Sequence, residues 1–107
     1  MKSKDIRFLG DSLNRIKDFP SDARQEAGFQ LDQVQRGREP NDWKPFSDVG
    51  AGVKEIIIKE VSGAFREMYV ARFADYVYVL HAFQKKTQKT EKQDIDLAKK
   101  RYKEIKP

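Results

Sequence analysis

The stretch VKEIIIKEVSGAFREMYVARFADYVYVLHAFQKK, residues 53–86, decides the fold. It holds three apolar runs, at 53–61, 64–73 and 76–84, rich in the β-branched and aromatic residues that suit a pleated, half-buried surface. Ser62 and Gly63 separate the first two runs, a two-residue hairpin signal, and Ala74 with Asp75 makes the next tight turn. The predicted unit is a three-stranded antiparallel meander.

Working outward, residues 38–52 are rich in Pro, Gly, Asn and Asp and read as a loop whose Trp43 and Phe46 close the core from outside. Before that loop, Ala23, Ala27, Leu31 and Val34 recur at steps of 4, 4 and 3, one apolar stripe of a helix begun at Ser21 and stopped at Gly37. A shorter helix capped by Asp11 or Ser12 carries Leu13 and Ile16 and ends at Pro20. Residues 6–9 supply a short N-terminal edge strand. After the meander, Thr90 and Gln93 form a capping box, and Ile95, Ala98, Tyr102 and Ile105 make the inner face of a last helix. An N-terminal helical hairpin and a C-terminal helix gathered on one face of the sheet make an α+β fold, one domain over residues 1–107.

Composition narrows the function classes. The chain carries 22 Lys+Arg against 17 Asp+Glu, a net charge of +5. Residues 1–84 hold 13 of each sign, whereas residues 85–107 hold 9 basic and 4 acidic residues, so the whole excess is C-terminal. Such a footprint belongs to nucleic-acid binders and to ordinary soluble surfaces alike. With no cysteine there is neither a disulfide nor a thiolate zinc site, and one histidine with no well-spaced acidic cluster predicts no metal. The sequence shows no apolar run of membrane-spanning length and no signal-peptide pattern, so a cytoplasmic location away from membranes is expected. The Gly-Ala-Gly at 50–52 is neither a Walker loop nor a dinucleotide fingerprint, and no G-x-S-x-G elbow occurs.

What remains is phosphodiester chemistry on Arg, Lys, Tyr and His. Strand alternation puts Val77, Val79, His81, Phe83 and Lys85 on one face, and Tyr76, Tyr78, Leu80, Ala82 and Lys86 on the other. Arg66, Met68, Val70 and Arg72 share a face, opposite Phe65, Glu67, Tyr69 and Phe73; Lys54, Ile56 and Ile58 oppose Glu55, Ile57 and Lys59. His81 reads as a satisfied strand-end histidine or as a proton carrier near neutral pH. Arg66 either pairs with Glu55 or Glu67 or grips a phosphate with its fork. Lys85 and Lys86 are solvated charges or backbone contacts, and Tyr69, Tyr78 and Phe83 are core residues or base-stacking platforms.

The ordered segments V-x-E-I (53–56), F-R-x-x-Y (65–69) and Y-V-L-H-A-F-x-K-K-T (78–87), with GDSLNRIKDFPSDARQEAGFQLDQVQRGREPNDWKPF (10–46) before them and DIDLAKKRY (94–102) after, are together similar to the phage-derived, HigB-like branch of the RelE/ParE toxin superfamily. The resemblance covers nearly the whole chain. It implies a RelE-like antiparallel sheet flanked by helices, and the toxin of a type II toxin–antitoxin pair. Its HigB and RelE members cut mRNA on the ribosome by attack of the ribose 2′-OH on the adjacent phosphate, leaving a 2′,3′-cyclic phosphate and a 5′-OH, with no metal and no cofactor. Transferred to this chain, the family pattern assigns Arg66 to the scissile phosphate and His81 to general acid or base. Lys85 and Lys86 orient the backbone, Tyr69 or Phe83 stacks on a base, and Glu55 is a weaker base candidate. Lys54, Lys59 and Lys89 complete the RNA-binding candidates. The implied partner is a small helix-turn-helix, HigA-like antitoxin.

One departure stands out. The family commonly has Arg where this chain has Ile57, so a second phosphate contact is missing, and Lys59 lies roughly 7 Å further along the strand. A weakened enzyme or a non-cleaving RNA-binding remnant is therefore an alternative, as is a gyrase-inhibiting toxin of the ParE kind.

Overall fold

The structure, a computed structural model, describes residues 3–87 and 89–106. Its elements are β1 (Asp5–Phe8), α1 (Ser12–Lys17), α2 (Ser21–Gln35), β2 (Trp43–Pro45), β3 (Val53–Glu60), β4 (Gly63–Val70), β5 (Tyr76–Lys85) and α3 (Lys92–Glu104). The strands form one sheet in the order β1-β5-β4-β3-β2. The expected meander is its antiparallel centre, and β1 runs parallel to β5 at the edge.

The sheet is wider than expected at the other edge. Trp43–Pro45, read from sequence as loop, pairs antiparallel with β3 through Trp43–Ile56, Lys44–Glu55 and Pro45–Lys54. Pro45 is tolerable there because it sits on an edge strand, where its missing N–H breaks no ladder. The turns differ in detail. Glu60 pairs with Gly63, so Val61 and Ser62 form the two-residue loop and Gly63 takes the positive φ of 141°. The expected tight turn at Ala74-Asp75 is a longer connection over residues 71–75.

Helices cover both faces rather than one. The α2 stripe of Ala23, Ala27, Leu31 and Val34 buries against Ile56, Ile58, Phe65, Tyr69, Val77, Val79 and Ala82, with Ile16 and Phe19 completing that core. On the opposite face α3 sets Ile95, Ala98, Tyr102 and Ile105 against Val53, Met68, Val70, Tyr78 and Leu80. A bulge explains how β5 serves both. Met68 pairs with His81 but Tyr69 pairs with Val79, which leaves Leu80 as an extra residue. Past a bulge the alternation resets. His81 and Phe83 therefore join Tyr78 and Leu80 on the α3 side, and Ala82 joins Val77 and Val79 on the α2 side, correcting the simple alternation.

The caps also differ. Neither Asp11 nor Ser21 makes a capping hydrogen bond, and Ser21 is already the first helical residue. Thr90 does not box α3, whose N-cap position is Glu91; its hydroxyl turns to the sheet instead. Gly37, at φ 83°, follows α2 as the spacing predicts. Among the described residues no helix is long and apolar enough to cross a membrane.

Candidate functional site

Strand pairing lays the polar residues of the α3 face in rows. Lys44, Glu55, Met68 and His81 are successive partners across β2 to β5. The next row is Ile57, Arg66 and Phe83, and the one after is Lys59, Ala64 and Lys85. An open shelf of about 410 Å³ lies against the later rows, lined by Ala64, Arg66, Lys85, Lys86 and Thr87. Beside it a groove of about 260 Å³ runs between Phe83, Lys85, Lys86 and Lys89 on one side and Gln93 and Asp94 of α3 on the other.

Glu55 organises the inner end. Its carboxylate is fully buried, with Oε1 3.3 Å from Arg66 Nε and 3.6 Å from Lys44 Nζ. The Thr90 hydroxyl donates to its other oxygen at 3.0 Å. A buried carboxylate needs such partners, because desolvating it alone costs several kcal/mol, of order 5. Arg66 is 8% exposed, and among the described residues its Nε and Nη1, like Glu55 Oε1, have no hydrogen-bond partner, so the two groups meet as an ion pair. Glu55 thus holds the guanidinium by charge, and Arg66 also lines the shelf. Lys85 stands among Arg66 and Lys44. Burial, and then repulsion from those two cations, lower its pKa against the pull of Glu55.

Of the two sequence readings of His81, its surroundings match the structural one. It is wholly buried, its Nε2 is 2.8 Å from Asp94 Oδ1, and its ring stacks on Phe83 at 5.1 Å between centroids. Burial lowers its pKa, outweighing the Asp94 contact that raises it. The neutral ring then donates from Nε2 to Asp94, which leaves Nδ1 as an unpaired acceptor. In this arrangement His81 pins the first turn of α3 to the sheet and is shielded from the groove by Phe83.

Two candidates lie elsewhere. Tyr69 and Lys54 are cross-strand partners on the α2 face. Tyr69 is 2% exposed within that core, so it offers no ring to a base on the α3 side. Lys54 is engaged by Glu39 at 2.9 Å and lies 4.3 Å from the Trp43 ring centre. Lys59 is exposed at the end of its row, and Lys86 and Lys89 are exposed on the connection to α3. Lys44, Thr90 and Asp94 were missed. Lys44 was hidden in a supposed loop, and Thr90 and Asp94 approach Glu55 and His81 only once α3 docks. Among the described residues, no group of three or more His, Cys, Asp or Glu is placed to hold a metal ion.

The site is thus a cationic shelf with one buried carboxylate behind it, suited to holding a phosphate oxyanion beside a flat apolar wall. Comparison with curated proteins gave no match. Residues 14–103, most of the chain, match the family model described as phage derived protein Gp49-like (DUF891). The chain belongs to the phage-derived Gp49-like family.

Proposed function

We propose that this protein is the toxin of a type II toxin–antitoxin pair and cleaves mRNA on the ribosome. The observation that carries the reading is Arg66, ion-paired with buried Glu55 and lining a shelf together with Lys85 and Lys86. In-line attack by a ribose 2′-OH piles negative charge on the non-bridging phosphate oxygens, and a preorganised guanidinium fork stabilises that charge where it develops. One proton must leave the 2′-OH and one must reach the departing 5′-oxygen. Lys85, whose pKa is lowered by burial and by its cationic neighbours, is the accessible group best suited to carry one of them. Lys86 and Lys89 hold the backbone, and Phe83 walls the groove in which an adjacent base lies. Glu55 positions Arg66, and His81 positions α3. The partner in this reading is a small helix-turn-helix antitoxin, drawn to the basic C-terminal fifth by opposite charge.

A second reading, an RNA binder that does not cut, is favoured by the enclosure of His81 and by the apolar Ile57 directly across from Arg66. Primer extension on mRNA from cells briefly expressing the chain separates the two. The expected result is codon-phased cuts with the parent and at least ~100-fold fewer with Arg66→Lys, which keeps the charge beside Glu55 but loses the fork. RNA retention without cuts supports the second reading, and cuts indifferent to Arg66→Lys overturn the proposed site.

A further inference from the structure

The two sequence candidates that fall off the α3 face, Lys54 and Tyr69, come together in a second pocket. It has a volume of about 380 Å³ and lies between the C-terminal end of α2 and the end of the sheet where β3 begins and β4 stops. Val34, Ala71 and Tyr69 form its apolar part, and Lys4, Arg38, Lys54 and Arg72 bring four cations against one carboxylate, Glu39. This is the α2 side of the sheet, opposite the shelf, and at the other end of β4 from Arg66.

The cations are not equivalent. Lys54 is neutralised by Glu39, with both carboxylate oxygens at 2.9 Å. Lys4 donates to the Ala71 and Phe73 carbonyls and so builds the wall. Arg72 and Arg38 have no carboxylate partner among the described residues. Arg38 donates to the Gln33 amide oxygen at 3.2 Å, and Arg72 lies over the Phe73 ring at 5.0 Å from its centre. Gly52 makes room for Arg72. At φ 80° it takes a left-handed turn, and a Cβ there would lie 2.9 Å from Arg72 Cδ. The stem of Arg72 is thus seated against a residue that only glycine fills easily, while its charge is left unmatched.

We infer that this pocket binds a small organic anion with an aromatic body: the phosphate or carboxylate on Arg72 and Arg38, the ring against half-buried Ala71, beneath which Val34 and Tyr69 are buried. Its volume is within the range of small-ligand pockets, about 300–1,000 Å³, and its pairing of an apolar floor with a few convergent charges is their usual chemistry. An anion without the ring would leave the apolar part of the pocket uncovered, and a neutral ring would leave two guanidinium charges uncompensated. The site is independent of any chemistry on the α3 face.

The test is a two-dimensional amide NMR titration of the full chain with phenyl phosphate at roughly 150 mM salt, where loose surface attraction is screened. Inorganic phosphate and phenol serve as charge-only and ring-only probes. The expected result is saturable shifts at Val34, Gly37, Gly52 and residues 69–72, with phenyl phosphate at least ten-fold tighter than either probe. Arg72→Gln and Arg38→Gln, both at exposed positions, should each weaken it about ten-fold, and Lys85→Gln should leave it unchanged. Shifts confined to residues 83–89, equal affinity for inorganic phosphate, or indifference to both arginine variants would each overturn the proposal.

Discussion

The two faces of the sheet are covered by helices of different character. On the α2 face a stripe of small and aliphatic side chains meets an almost wholly apolar surface, and among the described residues Glu67 is the one buried carboxyl group on that side. On the α3 face the helix is held by polar ties as well as by packing. Asp94 meets His81, the Thr90 hydroxyl reaches Glu55, and Arg101 donates to the Leu80 carbonyl at 2.9 Å and to Asp11 at 2.6 Å. Apolar burial supplies stability without placing any group accurately. Hydrogen-bonded charges add less net stability but fix positions. The α2 face is therefore where the fold is secured, and the α3 face is where side chains are aimed.

The largest effect is expected on the α2 face. Leu31→Ala deletes a side chain 3% exposed in that core and should lower stability by about 2–5 kcal/mol in denaturant melts. A loss below ~1 kcal/mol would break the contrast between the faces. Glu67 comes next, with the opposite sign. Both its oxygens lack partners, and desolvation, with Glu26 adding repulsion, raises its pKa well above the ordinary value. The folded state holds a proton that the unfolded chain releases above about pH 4.3, so this group lowers stability as pH rises from there toward its folded pKa. Glu67→Met should raise stability at neutral pH by about 1–3 kcal/mol and remove that decline.

Asp11 sharpens the comparison from the α3 side. Hydrogen bonds from Arg15 and then Arg101 lower its pKa to about 2. Its contribution is complete above the ordinary carboxylate range near pH 4 and fades as pH falls through about 2, the reverse of Glu67. Because the carboxylate is half-exposed, solvent screens it, and Asp11→Asn should cost only about 1 kcal/mol at pH 7, measured by thermal melts at both pH values. The smallest change in stability is expected for Ile57→Arg. It is half-buried across from Arg66, so a second guanidinium there should leave the melt within ~1 kcal/mol while raising cleavage several-fold in the primer-extension assay. No gain in cleavage would show that Ile57 does not limit the site.

Much of the fold was legible because it rests on periodicity. The α2 stripe, the meander and the inner face of α3 are all repeats that a single side chain cannot disguise. What escaped depends on one-residue events and on distant partners. The bulge at Leu80 moved His81 and Phe83 to the other face, and nothing in YVYVLHAF announces an extra residue. Lys44 was obscured by the Pro and Asn around it, which signal loop even though an edge strand tolerates them. Thr90 looked like a helix cap because the local pattern satisfies one. Its actual acceptor, Glu55, is 35 residues away. For the candidate site, resemblance pointed to Arg66, Phe83 and Lys85, which line the shelf or the groove beside it, whereas the enclosure of His81 follows from the docking of α3.

The most direct test of the division between the faces pairs two readouts on one variant, Lys85→Gln with Lys86→Gln. Both side chains line the shelf, and Lys86 is exposed while Lys85 is half-buried. In a purified translation system the expected outcome is a melting temperature within a few degrees of the parent, together with mRNA cleavage reduced at least ~100-fold. Unchanged cleavage, or a loss of cleavage that merely follows a loss of folded protein, would contradict the assignment of the α3 face as the working surface.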